Sequence, residues 1–362
     1  MKKVLYVTNT PVPYRVRFFN LLAGECRLTV LYERALSSNR DRAWAASQRP
    51  AHQALYLKGL PVRGEFALSP GILPRVLGGY DHVIFGCFNS PAQQLAMQAM
   101  RLLGRPYFLS FDGEPFWAGA SRKDRLKRRL ASGAAGYLAA GRASARSLAP
   151  IAGGRPVVPY FFSPLTAAEL AARSQEPPRP REEFILVVGQ YFDYKGLDVA
   201  LEAARRDASL RYRFVGMGSR TEEFRRTFHL DELPNVELIP FLQPDELAEE
   251  YRRAALLVLP SRQECWGLVI NEAASFGLPI VSTWGSGAAV EFLEEDYPQY
   301  LAPPGDAAGL LAAIHRLLRE EDRQAYGRFL RRRSGEYTLE RSVQAHLRLL
   351  ERSPGPRWEE NG

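Results

Sequence analysis

The chain is poor in the residues that build disulfide frameworks and zinc sites. Its 362 residues hold three cysteines, Cys26, Cys87 and Cys265. So odd and sparse a set excludes a disulfide scaffold and fits a reducing compartment, and the cytoplasm is the expected location. The five histidines make no HxxxH pair, and no CxxC occurs, so no metal is expected. No apolar run reaches the ~18–20 residues that span a bilayer. Lysine is scarce as well: Lys2, Lys3, Lys58, Lys123, Lys127 and Lys195 are the only six, and Lys195 alone lies beyond position 127. No GxGxxG follows a strand-like run, which speaks against an NAD-dependent dehydrogenase.

What is present has globular character. Hydrophobic residues make up 46% and charged residues 24%, which excludes a disordered or fibrous chain. At roughly 100–200 residues per domain, the length predicts about two domains. Lys plus Arg total 48 against 40 acids, a formal net charge of +8. That charge favours anionic partners without choosing among phosphorylated substrates, nucleic acid and lipid. There is no zinc finger, RNP-like motif or interleaved basic-aromatic array, so no nucleic-acid partner is expected.

Short apolar runs alternate with helical stretches in both halves. In the first half, Val4–Thr8, Arg27–Tyr32, His82–Phe85 and Tyr107–Ser110 read as strands, with Arg15–Leu22 and Pro91–Leu103 as helices. A Pro-rich, charged segment follows, Arg173-Ser-Gln-Glu-Pro-Pro-Arg-Pro-Arg-Glu-Glu183, and reads as a linker. The pattern then restarts. Phe184–Val188, Arg211–Val215, Val236–Ile239, Ala255–Leu259 and Pro279–Ser282 read as strands. Leu197–Arg205, Asp245–Arg253, Leu268–Phe276, Ala307–Arg319 and Leu339–Glu351 read as helices. The expected class is α/β, two Rossmann-like lobes with parallel sheets and a cleft between them. The boundaries expected are an acceptor-binding lobe at 1–165, a linker at 166–183, a nucleotide-sugar-binding lobe at 184–335, and a closing helix and tail at 336–362 that return to the first lobe.

The segment Glu264-Cys-Trp-Gly-Leu-Val-Ile-Asn-Glu272-Ala-Ala-Ser-Phe-Gly-Leu-Pro-Ile-Val281 sets two carboxylates eight positions apart across a helix start. Free amides at Trp266, Gly267 and Leu268 suit an anionic diphosphate. Two surface acids on a solvated helix would give the same spacing. The segment resembles the E-x7-E motif of retaining GT-B glycosyltransferases of the large family 4, or group 1, type. Further segments resemble that family in the same order: Val188-Gly189-Gln190 through Lys195-Gly196 to Ala203, Phe214-Val215-Gly216-Met217-Gly218, Asn235-Val236 through Phe241-Leu242, and Gly285-Ser286-Gly287-Ala288. The likeness is firm from Phe184 to about Glu291 and loose before that.

The resemblance implies a role for each matching residue. Lys195 neutralises the donor diphosphate and Glu264 binds hydroxyls of the transferred sugar. Gln190, Gly216 and the amides of Trp266, Gly267 and Leu268 line the donor phosphates. Glu272 holds the ribose, and Phe241 and Leu242 meet the base. Gln190 stands where the family has arginine, so either another cation, Arg15 or Arg220, shares the charge or the donor is held with lower affinity. The family's first-lobe histidine has no counterpart in Ser110-Phe-Asp112-Gly-Glu114. Asp112 is the expected catalytic replacement, although Asp-Gly-Glu reads equally as a plain turn. Tyr14, Arg15 and Glu114 are expected on the acceptor side. There is no D-x-D triplet, and the family uses neither a cofactor nor a metal in this site.

One segment falls outside the resemblance. Six cations and one acid occupy Arg122–Arg129, just after Phe116-Trp117. Arg122–Leu130 is therefore a candidate contact with an anionic membrane, peripheral on the inner face of the plasma membrane. A solvated helix held by Leu126 and Leu130, or a site for a phosphorylated acceptor, reads the same way.

These readings combine into an expected activity: transfer of a hexose from a UDP- or GDP-sugar to a glycan or lipid-linked acceptor in cell-surface polysaccharide or glycolipid synthesis. A sugar-nucleotide epimerase on a similar fold is the rival.

Overall fold

The computed structural model describes residues 1–35, 50–63, 66–113, 121–177, 179–321 and 323–352. They form two compact units: Met1–Phe161 with Leu339–Gly362, and Phe162–Thr338.

The first unit is built on a seven-stranded sheet. In chain order its strands are β1 (Lys3–Thr8), β2 (Arg27–Tyr32), β3 (Gln53–Tyr56), β6 (His82–Phe85), β7 (Phe108–Phe111), β8 (Gly136–Ala140) and β9 (Val157–Tyr160). A separate antiparallel pair, β4 (Leu60–Arg63) and β5 (Phe66–Leu68), lies between β3 and β6 in sequence. The sheet order is β3-β2-β1-β6-β7-β8-β9, all parallel. Both faces are covered, so most of the strands are apolar along their length: every residue of β6, β7 and β8 is buried. The unit's helices are α1 (Pro13–Glu25), α2 (Ile72–Val76), α3 (Pro91–Leu102), α4 (Arg122–Ala131) and α5 (Gly141–Ala152). Ser90 and Ser121 cap α3 and α4, each accepting a backbone N–H of the first turn.

The second unit repeats the plan with six parallel strands: β10 (Ile185–Val188), β11 (Tyr212–Val215), β12 (Val236–Ile239), β13 (Leu256–Leu259), β14 (Ile280–Thr283) and β15 (Leu301–Ala302). Their order is β12-β11-β10-β13-β14-β15. Its helices are α6 (Ala167–Ser174), α7 (Leu197–Arg206), α8 (Thr221–Thr227), α9 (Pro244–Arg253), α10 (Leu268–Ser275), α11 (Gly287–Leu293), α12 (Ala307–Arg319) and α13 (Arg323–Ser334). The closing helix α14 (Leu339–Arg352) packs on α1, β8 and β9 of the first unit.

The expected linker at 166–183 needs correcting. Its first half is α6, a helix of the second unit, opened by a capping box in which Thr166 and Glu169 satisfy each other's backbone N–H groups. Arg173 on α6 lies over the Phe276 ring and donates to Ser275 Oγ at 2.6 Å. Among the described residues, no helix is long and apolar enough to cross a membrane.

Candidate active site

Strand order reverses between β10 and β13. In an open parallel sheet, that reversal leaves a crevice at the carboxyl ends of the two strands, where ligands bind. Lys195 lies in the loop after β10, and Glu264 in the loop after β13. The structure brings them together: the Lys195 ammonium donates to the Glu264 carboxylate, with the side chains 20% and 15% exposed.

Backbone contacts hold each loop. Arg262 N–H donates to the Tyr194 carbonyl at 2.8 Å, which ties the Lys195 loop to the Glu264 loop. The Arg262 guanidinium grips both oxygens of Asp198 at the start of α7. Gly196 makes the approach possible, because its φ is +65° and a Cβ there would lie 2.1 Å from the Pro260 carbonyl oxygen. Glu264 is clamped from the other side. Its N–H donates to the Gly285 carbonyl at 2.8 Å, and its carbonyl accepts from Gly287 at 3.1 Å.

Helix α10 begins directly behind this pair. Gly267 caps it at φ +97°, a left-handed conformation, and a Cβ there would press on Glu264 Cγ at 3.3 Å. The amides of Trp266, Gly267 and Leu268 open the helix, where intrahelical acceptors are lacking. The Trp266 side chain is buried, with its indole N–H donating to Asn271 Oδ1 at 2.8 Å. Trp266 therefore offers this site its backbone, not its ring. An ammonium beside helix-start amides is a setting for an anion.

The two glutamates have different surroundings. Glu272, on the second turn of α10, accepts from the Tyr251 hydroxyl at 2.7 Å. Burial pushes its carboxyl above the usual range, while the Tyr251 hydrogen bond and the Arg173 charge pull it back. Neither Tyr251 nor Arg173 stood out in the sequence. Arg173 lay in a segment read as linker, and Tyr251 in a charged helix whose pairing depends on α9 and α10 meeting.

The remaining donor-side candidates sit at neighbouring strand ends. Gln190 is exposed after β10, and Gly216 follows β11 at φ +102°. Phe241 is 42% exposed after β12, and Leu242 is half-buried. Arg220, one cation expected to share the diphosphate charge, pairs through Nε and Nη2 with both oxygens of Glu223 and lies over the Tyr191 ring. The other, Arg15, belongs to the first unit and is committed there.

Arg15 lies in the first turn of α1, buried at 5% exposure. It pairs with Asp112, which follows β7, and its Nη1 donates to Thr8 Oγ1 at 2.8 Å at the end of β1. Tyr160, at the end of β9, donates to Asp112 Oδ1 at 3.1 Å. Burial pushes the Asp112 carboxyl up against the pull of Arg15. Asp112 is thus held by Arg15 of α1 and by Tyr160 at the end of β9. Tyr14 lies beside Arg15 on α1. Glu114 lies outside the described residues, as do Phe116 and Trp117.

Residues 169–334 match the family described as glycosyl transferases group 1. That segment belongs to this family. Within the chain, O-antigen chain mannosyltransferase C of Escherichia coli is 31% identical over 173 residues, 46% of this chain and 46% of that protein. The amylovoran biosynthesis glycosyltransferase AmsK of Erwinia amylovora is 31% identical over 148 residues, 38% of this chain and 36% of its own. The matches thus span less than half the length of these relatives. Likeness to solved structures extends over nearly the whole chain. Anabaena HepE in complex with UDP covers 96% of this chain and 99% of its own at TM-score 0.71 and 17% identity. Sucrose-phosphate synthase from Thermosynechococcus elongatus covers 97% and 98% at TM-score 0.67 and 17% identity. These likenesses show the fold, which is GT-B.

Proposed function

We propose that the chain is a retaining glycosyltransferase. It transfers a hexose from a UDP- or GDP-sugar to a hydroxyl of a glycan or lipid-linked acceptor, in the making of cell-surface polysaccharide or glycolipid. The single observation that carries this reading is the Lys195–Glu264 pair at the strand-order reversal, backed by the amides that open α10. Two relatives are named for O-antigen and amylovoran synthesis, and HepE binds UDP and UDP-glucose in its structures, which supports the donor and acceptor classes.

In the proposed reaction, Lys195 and the helix-start amides take up the charge that grows on the diphosphate as the glycosidic bond breaks. Glu264 orients the sugar through its hydroxyls, and Glu272 holds the ribose. The acceptor oxygen bonds to the anomeric carbon on the face the phosphate leaves, and its proton passes to the departing phosphate oxygen. Configuration is retained without a separate base. On the first unit, Asp112 serves the acceptor, and Tyr14, Arg15 and Glu114 are the further acceptor-side candidates.

The test is a thermal-stability screen of nucleotide sugars, because a ligand that binds only the folded chain stabilises it by mass action, followed by turnover of the stabilising donor with and without acceptor. Release of UDP or GDP that depends on added acceptor, with the anomeric configuration kept, is the expected outcome. Donor consumption without acceptor and without free nucleotide would point to an epimerase and overturn the reading. Turnover in a chelator is expected to match turnover without one.

A further inference from the structure

We propose that the exposed stripe of α4, together with the leucine turn that ends α3, is a docking surface for an anionic lipid bilayer. Along α4, Arg122, Arg125, Leu126 and Arg129 are exposed, while Leu130 and Ala131 are buried. Spacings of three, four and seven residues place the exposed four on one helix face. The opposite face is fixed to the unit, with the Tyr107 hydroxyl donating to the Leu130 carbonyl at 2.6 Å. The basic face is therefore held outward by packing.

A second element extends the surface. The Arg101 guanidinium reaches the Arg129 carbonyl, which brings the end of α3 beside the end of α4. There Leu102 is 76% exposed and Leu103 60%, and Leu126 on α4 is 46% exposed. Asp124, the lone acid in this stretch, is occupied at the helix cap by the Ser121 hydroxyl.

The mixture of side chains selects the partner. Guanidinium groups bind phosphate through paired N–H donors. Protruding leucines gain only where an apolar phase lies next to those phosphates. A bilayer supplies both, headgroup phosphates above acyl chains. A nucleic acid supplies phosphate with nothing aliphatic for Leu102 and Leu103 to enter. The proposal is independent of the donor chemistry, since lipid binding requires neither Lys195 nor Glu264.

The experiment is co-sedimentation of the full chain with vesicles of phosphatidylcholine alone or mixed with phosphatidylglycerol. Binding is expected on the mixed vesicles only, and at least about tenfold weaker in ~0.5 M salt, where screening shortens to a few ångströms. At about one RT-scale increment or more per cation, the triple change Arg122→Glu, Arg125→Glu, Arg129→Glu is expected to lower partitioning by at least about a hundredfold. Leu102→Ser with Leu103→Ser is expected to lower it about tenfold. The milder Arg125→Gln, Arg129→Gln chain tests the same direction should the triple change unfold, and far-ultraviolet circular dichroism checks the fold of each. Equal binding to neutral vesicles would overturn the proposal, as would partitioning unchanged by the charge variants. Binding of RNA that the leucine changes leave intact, with no partitioning to vesicles, would also overturn it.

Discussion

Lys195 and Glu264 are ion-paired across the two loops where the strand order of the second sheet reverses. The ammonium proposed to meet a diphosphate is therefore shared with the carboxylate proposed to meet the sugar. Lys195→Ala is expected to lower kcat by about 10²–10³, the usual loss when one charge-stabilising donor is removed from a transition state. Glu264→Gln is expected to lower turnover as well, yet to bind free UDP or GDP more tightly, because the ammonium no longer has a competing anion. Steady-state kinetics with calorimetric titration of the nucleotide checks both. Weaker nucleotide binding by Glu264→Gln would show that the pair does not compete with the ligand.

Gly196 is the residue that lets the two loops touch. Gly196→Ala would set a methyl 2.1 Å from the Pro260 carbonyl oxygen at φ +65°. The loop must move away from β13, carrying Lys195 with it. A loss of activity close to that of Lys195→Ala is expected, with the second unit's Tm at least ~4 °C lower, corresponding to about 1–2 kcal/mol in a unit the size of Phe162–Thr338. A scanning calorimetry trace beside a rate measurement decides it.

The Glu272 carboxyl has its proton affinity raised by burial. The folded chain then holds a proton there over a pH range in which the unfolded chain has released it. Between the ordinary carboxylate range and the raised value, stability contributed at this site falls as pH rises. Glu272→Gln is expected to match the parent's Tm at acid pH and to exceed it progressively as pH climbs through that window. A difference between the two chains that stays flat with pH would contradict the assignment. Tyr251→Phe, which removes the hydroxyl donor, is expected to cost about 1–3 kcal/mol and to raise the KM for the donor.

Arg15, itself buried, is ion-paired in the first unit with Asp112, whose side chain is 33% exposed. Asp112→Leu strands the buried guanidinium and is expected to cost about 3–5 kcal/mol, and Arg15→Met, which leaves a partly solvated carboxylate, is expected to cost less. The double change is expected to cost clearly less than the sum of the two, as urea unfolding of all four chains in the cycle would show. Simple additivity would mean that the pair is not coupled.

The strands were legible because parallel strands covered on both faces are continuous apolar runs, as in Ile185–Val188 and Leu256–Leu259. Helix α6 was not. None of its residues is fully buried, so it lacks the apolar stripe by which a helix is read. The one local signal was the spacing of Thr166 and Glu169, which makes a capping box. Strand β8 was missed for the opposite reason: its Gly136-Tyr-Leu-Ala-Ala140 is short and rich in small residues, yet wholly buried. Lys195, Glu264 and Glu272 could be named from the resemblance of their local segments to a family motif, which the spacing alone did not decide. Tyr251 and Tyr160 could not, since each earns its place through a carboxylate far away in sequence.

By itself, the sequence determined the alternation of strands and helices, the apolar cores and the residue types at the candidate site, because these depend on local pattern and on chemistry each residue carries alone. Only the tertiary structure decided that Lys195 meets Glu264, that Arg15 is spent on Asp112, and that Glu272 rests against Tyr251. Contacts between residues distant in sequence form when strand order sets which loops share a sheet edge, and burial then fixes which charges have water and which must have a partner.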